Sequence, residues 1–211
     1  MNIADGDPVA RATLCGIQHL EVAFVRHGQP LEPADRSPEE ALDPPLTRLG
    51  LQQAAAMARY LRGRHVDAVY SSRLARARLT AESLGLPVDY IDDLQEVGIY
   101  SNRIDARSGA AFVAGRRWEA FPSAESSGQF RARVRRAVDD IVRSHDVGDS
   151  VVIVCHSGVI NAYLADLLGL EQDYFFRPSH GSVTRIWCAD GRASVWSLNE
   201  TAHVSGDLFS T

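Results

Sequence analysis

The sequence predicts an α/β fold: a three-layer α/β/α sandwich on a mostly parallel central sheet, with one antiparallel edge strand. Three observations carry this reading. The runs Val22–Val25 and Val151–Cys155 are apolar, uncharged and rich in strand formers, as strands buried on both faces are. Each such run leads into a turn and then a segment of helical periodicity, the alternation expected of βα units. Near the end, Ser182–Cys188 and Ala193–Leu198 alternate around Asp190-Gly191, a hairpin signal that sets the last strand antiparallel to its neighbour. A chain of 211 residues with 45% hydrophobic and 23% charged residues is long enough for one domain with a full core, and residues 1–211 read as a single domain.

Taken in order, residues 1–17 lack a strong period, contain Gly6 and Pro8, and read as an N-terminal extension. Leu20–Val25 is the first strand. Residues 30–45 hold five prolines and five acidic residues, which excludes a continuous helix; the segment is a surface loop that either shapes substrate entry or simply connects. Thr47 is a suitable N-cap for a helix reaching about Gly63, with Leu51, Ala54, Ala55, Ala58 and Leu61 on one face. Val66–Tyr70 is the second strand, followed by a helix over Arg73–Leu84 that Gly85 and Pro87 stop. Val88–Ile91 is a short third strand. Residues 98–122 are the least regular stretch. Ser123–His145 reads as a long amphipathic helix whose buried stripe is Phe130, Val134, Ala137, Val138, Ile141 and Val142. Ser150–Cys155 is the fourth strand, and Val159–Leu168 a helix closed by Gly169.

Composition narrows the chemistry. The formal net charge is −5, which gives no reason to expect nucleic acid or an anionic membrane as partner. All 22 basic residues are Arg, so Schiff-base chemistry on Lys and a Walker A loop are both excluded. Any phosphate site must be built from Arg, His and backbone N–H groups. The cluster Arg131, Arg133, Arg135 and Arg136 surrounds an apolar stripe and reads as a solvated face. Three cysteines, Cys15, Cys155 and Cys188, argue against a disulfide framework and fit a cytoplasmic protein. No signal peptide, membrane-length apolar run or zinc spacing is evident, and no cofactor is expected. Phe209 is either a contact of a homodimer or part of a frayed end.

Two strands end alike. The first strand runs into Arg26-His27-Gly28-Gln29 and the fourth into His156-Ser157-Gly158. Both histidines are placed at the carboxyl ends of parallel strands, where open α/β sheets form their ligand crevice. A guanidinium suits phosphate or carboxylate, and an imidazole serves as nucleophile, general base or metal ligand. A metallohydrolase built on His27 and His156 lacks a third ligand at metal spacing, and neighbouring arginines would repel the cation.

An ordered set of motifs extends this pair: Arg26-His27-Gly28; Pro45-Leu46-Thr47-x-x-Gly50-x-x-Gln53-Ala54; Ser72-x-Leu74-x-Arg76-Ala77-x-x-Thr80-Ala81; Leu94-x-Glu96; His156-Ser157-Gly158; and Leu198-Asn199-Glu200-Thr201-Ala202-His203. In this set the chain resembles the histidine phosphatase superfamily, the phosphoglycerate-mutase-like enzymes, over roughly residues 19–204. The resemblance implies a metal-independent phosphomonoesterase acting on a small-molecule phosphate ester. His27 would be the nucleophile, with Arg26, Arg76 and His156 holding the transferring phosphoryl group. Glu96 would be the general acid, since a carboxyl beside a phosphate dianion favours its protonated form. The match weakens after it, at Val97-Gly98-Ile99-Tyr100, which leaves Asp92 or Asp93 as alternatives. Gln29 and Ser157 adjoin the histidines and would touch phosphate.

The resemblance also implies that residues 98–122 are a cap insertion; its Tyr100, Phe112, Trp118 and Phe121, with Arg103, Arg107, Arg116 and Arg117, would either meet substrate or pack the insert. His203 would support the site from behind, His180 and Ser182 would approach it, and His19, His65 and His145 read as ordinary. Two other functions stand beside the phosphatase. One is a cofactor-dependent phosphoglycerate mutase, against which Gln29-Pro30-Leu31 departs from the mutase pattern. The other is a phosphate-ester-binding module that has lost catalysis, against which Arg26, His27, Arg76 and His156 are all intact.

Overall fold

The fold comes from a computed structural model that describes residues 13–14, 17–32, 43–97, 106–120, 125–204 and 206–211. Two short strands, β1 (Thr13–Leu14) and β2 (Ile17–Gln18), pair antiparallel ahead of the main sheet. The rest of the expected extension, most of the proline-rich loop, and much of the expected cap lie outside the described residues. The main sheet contains β3 (Leu20–Arg26), β4 (Ala68–Ser71), β5 (Asp89–Tyr90), β6 (Ser150–Cys155), β7 (Val183–Ala189) and β8 (Arg192–Glu200). Their spatial order is β5-β4-β6-β3-β7-β8. Strands β3, β4, β5 and β6 are parallel; β7 runs against both β3 and β8. The sheet therefore has the expected antiparallel edge, and the strand that reverses is β7, next to the edge.

Among the described residues there are five α-helices: α1 (Arg48–Arg62), α2 (Ala75–Glu82), α3 (Ala106–Gly115), α4 (Ser127–Arg143) and α5 (Ser157–Leu168). The period-2 alternation of the central strands sorts their side chains into two cores. Val22, Phe24, Val151 and Ile153 pack with Phe130, Val134 and Ile141 of α4 and Ile160 and Leu164 of α5. Ala23, Val25, Val152 and Val154 pack on the other face with Met57 and Leu61 of α1 and Ala77 and Ala81 of α2. This is the three-layer arrangement. Losing one fully buried anchor such as Phe24 would cost about 3–5 kcal/mol.

Some differences from expectation have a clear physical reason. Helix α4 starts at Ser127, because Ser126 and Gln129 form a reciprocal capping box that fixes the first turn. Helix α2 starts at Ala75: Leu74 is extended and offers no capping side chain, and Asp43, from the segment ahead of α1, accepts from Ala75 N–H at 2.8 Å instead. The stretch read as irregular contains α3, an alanine-rich helix whose small residues gave little periodic signal.

The turn after β3 is locked to the start of α1. A Cβ on Gly28 would lie 2.3 Å from the Gly50 carbonyl oxygen, and one on Gly50 would lie 2.2 Å from that of Gln29. Thr47 caps α1 by accepting from Gly50 N–H at 2.9 Å, and its own N–H donates to the Gln29 carbonyl at 2.9 Å. Only residues without side chains allow this approach.

Candidate active site

His27 leaves the sheet where β3 lies between β6 and β7. Its N–H donates to the Cys155 carbonyl at 3.1 Å, which fixes it beside the end of β6. The ring is buried, and Nδ1 lies 2.7 Å from the Gly28 carbonyl oxygen. A carbonyl only accepts, so Nδ1 carries the proton and Nε2 of the neutral ring presents a lone pair. Arg76 Nε–H donates to that Nε2 at 3.2 Å. The imidazolium is strongly disfavoured: burial pushes the His27 pKa well below its ordinary value, and Arg76, His156 and Arg26 lower it further.

His156 meets His27 edge-on, with ring centroids 5.0 Å apart. Its Nε2 is 2.9 Å from Ser72 Oγ, which also accepts from Leu74 N–H at 3.3 Å. The Ser72 hydroxyl proton is thus free to be donated to Nε2. The ring proton then sits on Nδ1, which is buried and has no hydrogen-bond partner among the described residues. Burial, then Arg76 and Arg26, hold this histidine neutral too.

Arg26 closes the other side. Nη1 donates to the Pro178 carbonyl, Nη2 donates to His180 Nε2 at 2.9 Å, and Nε is buried without a partner among the described residues. Burial lowers the Arg26 pKa to about 10, and burial with Arg26 and Arg177 lowers that of His180 to about 3. Arg76 is set by the first turn of α2, with Asp43 at 3.9 Å from Nη1. Thr80 ties that helix to the turn: its hydroxyl donates to the Arg76 carbonyl at 2.7 Å and accepts from Gly28 N–H at 3.0 Å.

The Glu96 carboxylate lies across the first turn of α5. One oxygen accepts from Val97 N–H and the other from Gly158 N–H, both at 3.0 Å. A Cβ on Gly158 would come within 2.1 Å of Glu96 Oε1, so a glycine is needed for this approach. Asp92 and Asp93 face away, in exposed ion pairs with Arg73 at 2.9 Å and Arg136 at 3.9 Å. Glu96 and Ser157 floor a cleft of about 390 Å³, walled by Phe112, Trp118 and Tyr174 and edged by Arg116 and Arg177. Phe112 stacks on Trp118 at 5.1 Å, and Trp118 meets Tyr174 edge-on at 5.6 Å.

The structure thus brings His27, His156, Arg26 and Arg76 together, with Glu96 and Ser157 at the adjoining cleft. Gln29 is placed differently: its amide oxygen accepts from Thr47 Oγ1 at 3.0 Å, at the start of α1. Of the cap residues, Tyr100, Arg103 and Phe121 lie outside the described residues, Arg107 sits in α3, and Arg117 donates to the Glu171 carbonyl at 3.1 Å. His203 stacks on Tyr60 at 4.5 Å and bonds the Gly181 carbonyl at 2.8 Å, behind the site. His19, His65 and His145 are engaged elsewhere, with Trp187, Asp67 and Tyr70. Sequence reasoning assigned no role to Ser72 or Thr80, although both stand in a quoted motif, or to Asp43 and Arg177, which reach the site only through tertiary folding.

Comparison with known proteins gives a consistent picture. The pattern of the histidine phosphatase superfamily (branch 1) matches residues 22–201. The chain is 29% identical over 206 residues to "Probable phosphoglycerate mutase GpmB" of Yersinia pestis, covering 88% of this chain and 95% of that protein. It superimposes on a mycobacterial glucosyl-3-phosphoglycerate phosphatase with a TM-score of 0.73 and 29% identity, over 86% of this chain and 99% of the other. A phosphoserine phosphatase of Entamoeba histolytica matches with a TM-score of 0.73, covering 88% of this chain and all of its own (100%); at 21% identity this is a likeness of fold alone.

Proposed function

The chain belongs to branch 1 of the histidine phosphatase superfamily, and from that premise we propose that it is a metal-independent phosphomonoesterase working through a phosphohistidine on His27. The observation that carries this reading is the His27 ring: proton on Nδ1, bonded to the Gly28 carbonyl, and a lone pair on Nε2. An incoming phosphate draws Arg76 Nε–H from Nε2 to a phosphoryl oxygen, which frees the nucleophile as the electrophile arrives. Nε2 attacks phosphorus in line and the ester P–O bond breaks. Arg26 Nε–H, Arg76 and His156 Nδ1–H hold the equatorial oxygens, fixed donors that need no reorganisation. Glu96 gives its proton to the departing alkoxide. A water then attacks the phosphohistidine, its proton passing to Glu96, and inorganic phosphate leaves.

The cleft beside Glu96 receives the alcohol half of the ester. Arg116 has no carboxylate partner among the described residues, unlike Arg131 and Arg133, and Arg177 Nη2 donates to the Thr211 O at 2.8 Å, which holds its guanidinium at the cleft edge. With the aromatic wall they favour an organic leaving group that carries a second acidic function. The mycobacterial neighbour acts, by its name, on an ester of that kind.

The test is phosphate release from a panel of phosphomonoesters in excess chelator, comparing wild type with His27→Ala. Chelator-resistant release that disappears in the variant, with unchanged thermal melting, is the expected result; normal turnover by His27→Ala refutes the mechanism. The likeness to a phosphoglycerate mutase supports a second reading, in which the phosphohistidine returns its phosphoryl group to an alcohol. Interconversion of phosphoglycerates primed by a bisphosphate, without net hydrolysis, would select it.

A further inference from the structure

Arg26 is held by a chain of side chains that ends in the segment 206–211. Gln53 is fully buried and its amide has one orientation: Oε1 accepts from Gln29 N–H at 2.8 Å, and Nε2 donates to the Leu208 carbonyl at 2.7 Å. Nε2 therefore also donates to Ser210 Oγ, 2.8 Å away. The same Ser210 oxygen lies 2.9 Å from His180 Nδ1. On the other side of that ring, Arg26 Nη2 reaches Nε2 at 2.9 Å. A guanidinium has no acceptor, so Nε2 must accept and Nδ1 must carry the proton, which it donates to Ser210. His180 N–H is anchored to the Ser210 carbonyl at 2.9 Å as well.

We propose that His180 and Ser210 are positioning residues for Arg26: Ser210 holds the His180 ring with Nε2 as acceptor, and that acceptor turns the guanidinium so that its unpartnered Nε–H faces the phosphate. This rests on the reading of Arg26 as a phosphate donor. Nη1 on Pro178 and Nη2 on His180 are two fixed points that define the plane of the group; with the second removed, the plane rotates about the first.

The tautomer is read directly by NMR of protein carrying ring-¹⁵N histidine, with the His180 signals identified by their loss in His180→Gln. A neutral ring protonated on Nδ1 is expected; a proton on Nε2 overturns the proposal. Affinity for inorganic phosphate, measured by calorimetry, then separates the contacts. The Oε1 of Gln reaches the place of Nε2, whereas Asn replaces only the Nδ1 side. His180→Gln should bind phosphate within about threefold of wild type, and His180→Asn and Ser210→Ala about tenfold more weakly, as for loss of a hydrogen bond to a charged group, with Ser210→Thr restoring affinity. Equal affinity in all variants, or His180→Gln as weak as His180→Asn, overturns the relay, as does a wild type that binds no phosphate. A wild type that binds phosphate with the expected tautomer yet hydrolyses no ester sinks the phosphatase reading and leaves the relay standing.

Discussion

Replacing Gly158 by Ala tests whether Glu96 is the leaving-group acid without touching Glu96 itself. The new Cβ would stand 2.1 Å from Oε1, against 3.4 Å for the shortest ordinary contact, so the carboxylate must retreat by more than an ångström and release Gly158 N–H. The clash is with the end of a flexible side chain, so the backbone is spared. Lost hydrogen bonding costs about 1–3 kcal/mol, and Ala in place of Gly in α5 returns about 1 kcal/mol of helix propensity, so folding stability should fall by no more than about 2 kcal/mol. Catalysis should not be so forgiving. Displacing a catalytic group by about 1 Å costs roughly 10²-fold, within the range that general acids contribute. The effect should depend on the leaving group. Alkyl phosphates, whose alkoxides need a proton, should lose about 100-fold in kcat/KM, while p-nitrophenyl phosphate, whose phenolate leaves unaided, should lose less than about threefold. Equal losses on both substrates, or no loss on either, would refute the assignment of Glu96.

Further outcomes follow from the same geometry. His27, His156 and His180 all have pKa values held below the ordinary 6.5, so the unfolded chain binds protons that the folded one does not. Stability is complete above about pH 6.5 and is lost as pH falls towards the folded values, by about 1.4 kcal/mol per pH unit for each histidine; urea midpoints between pH 7.5 and 5 should fall accordingly, and a flat series refutes the burial argument. Arg177→Gln should raise KM about threefold to fivefold for esters with a second anionic group, an effect that shrinks with added salt, and leave p-nitrophenyl phosphate unchanged. Asp173, fully buried, accepts from Trp118 N–H at 2.9 Å and Arg131 Nε at 2.7 Å, so Asp173→Ala should cost about 3 kcal/mol in denaturant unfolding, with Asp173→Asn costing much less.

What could be read in the sequence, and what could not, divides by the range of the interaction. His27 and His156 were legible because each ends an uncharged run whose burial its own residues dictate. Arg76 was legible only through the family resemblance that the Ser72-to-Ala81 motif carries. The start of α4 was written in Ser126 and Gln129, a local signal that the apolar stripe alone does not carry. By contrast, Asp43 at the head of α2, and Ser210 against His180, are pairings between distant parts of the chain, which no local pattern encodes. Gln29 was singled out for its adjacency to His27; the locked glycine turn adds a feature no local pattern carries, in that its amide oxygen accepts from Thr47 Oγ1. The reversal of β7 was half legible: the hairpin signal set β7 against β8, and only the sheet order shows that β7 also opposes β3.

The sheet order has a consequence in time as well as in space. His27 is synthesised early and His156 late, yet they sit on neighbouring strands, and β3 finds both of its partners, β6 and β7, in the last third of the chain. Such pairings between remote segments close slowly, because the intervening chain must be ordered before they reward it. A ribosome-bound chain that stops short of β6 therefore holds His27 with no pocket around it. On the proposed mechanism, activity would become a clock for completion: turnover could begin only once the final βα unit and the hairpin have emerged and docked, so the first molecule able to act would be one whose sheet is already whole.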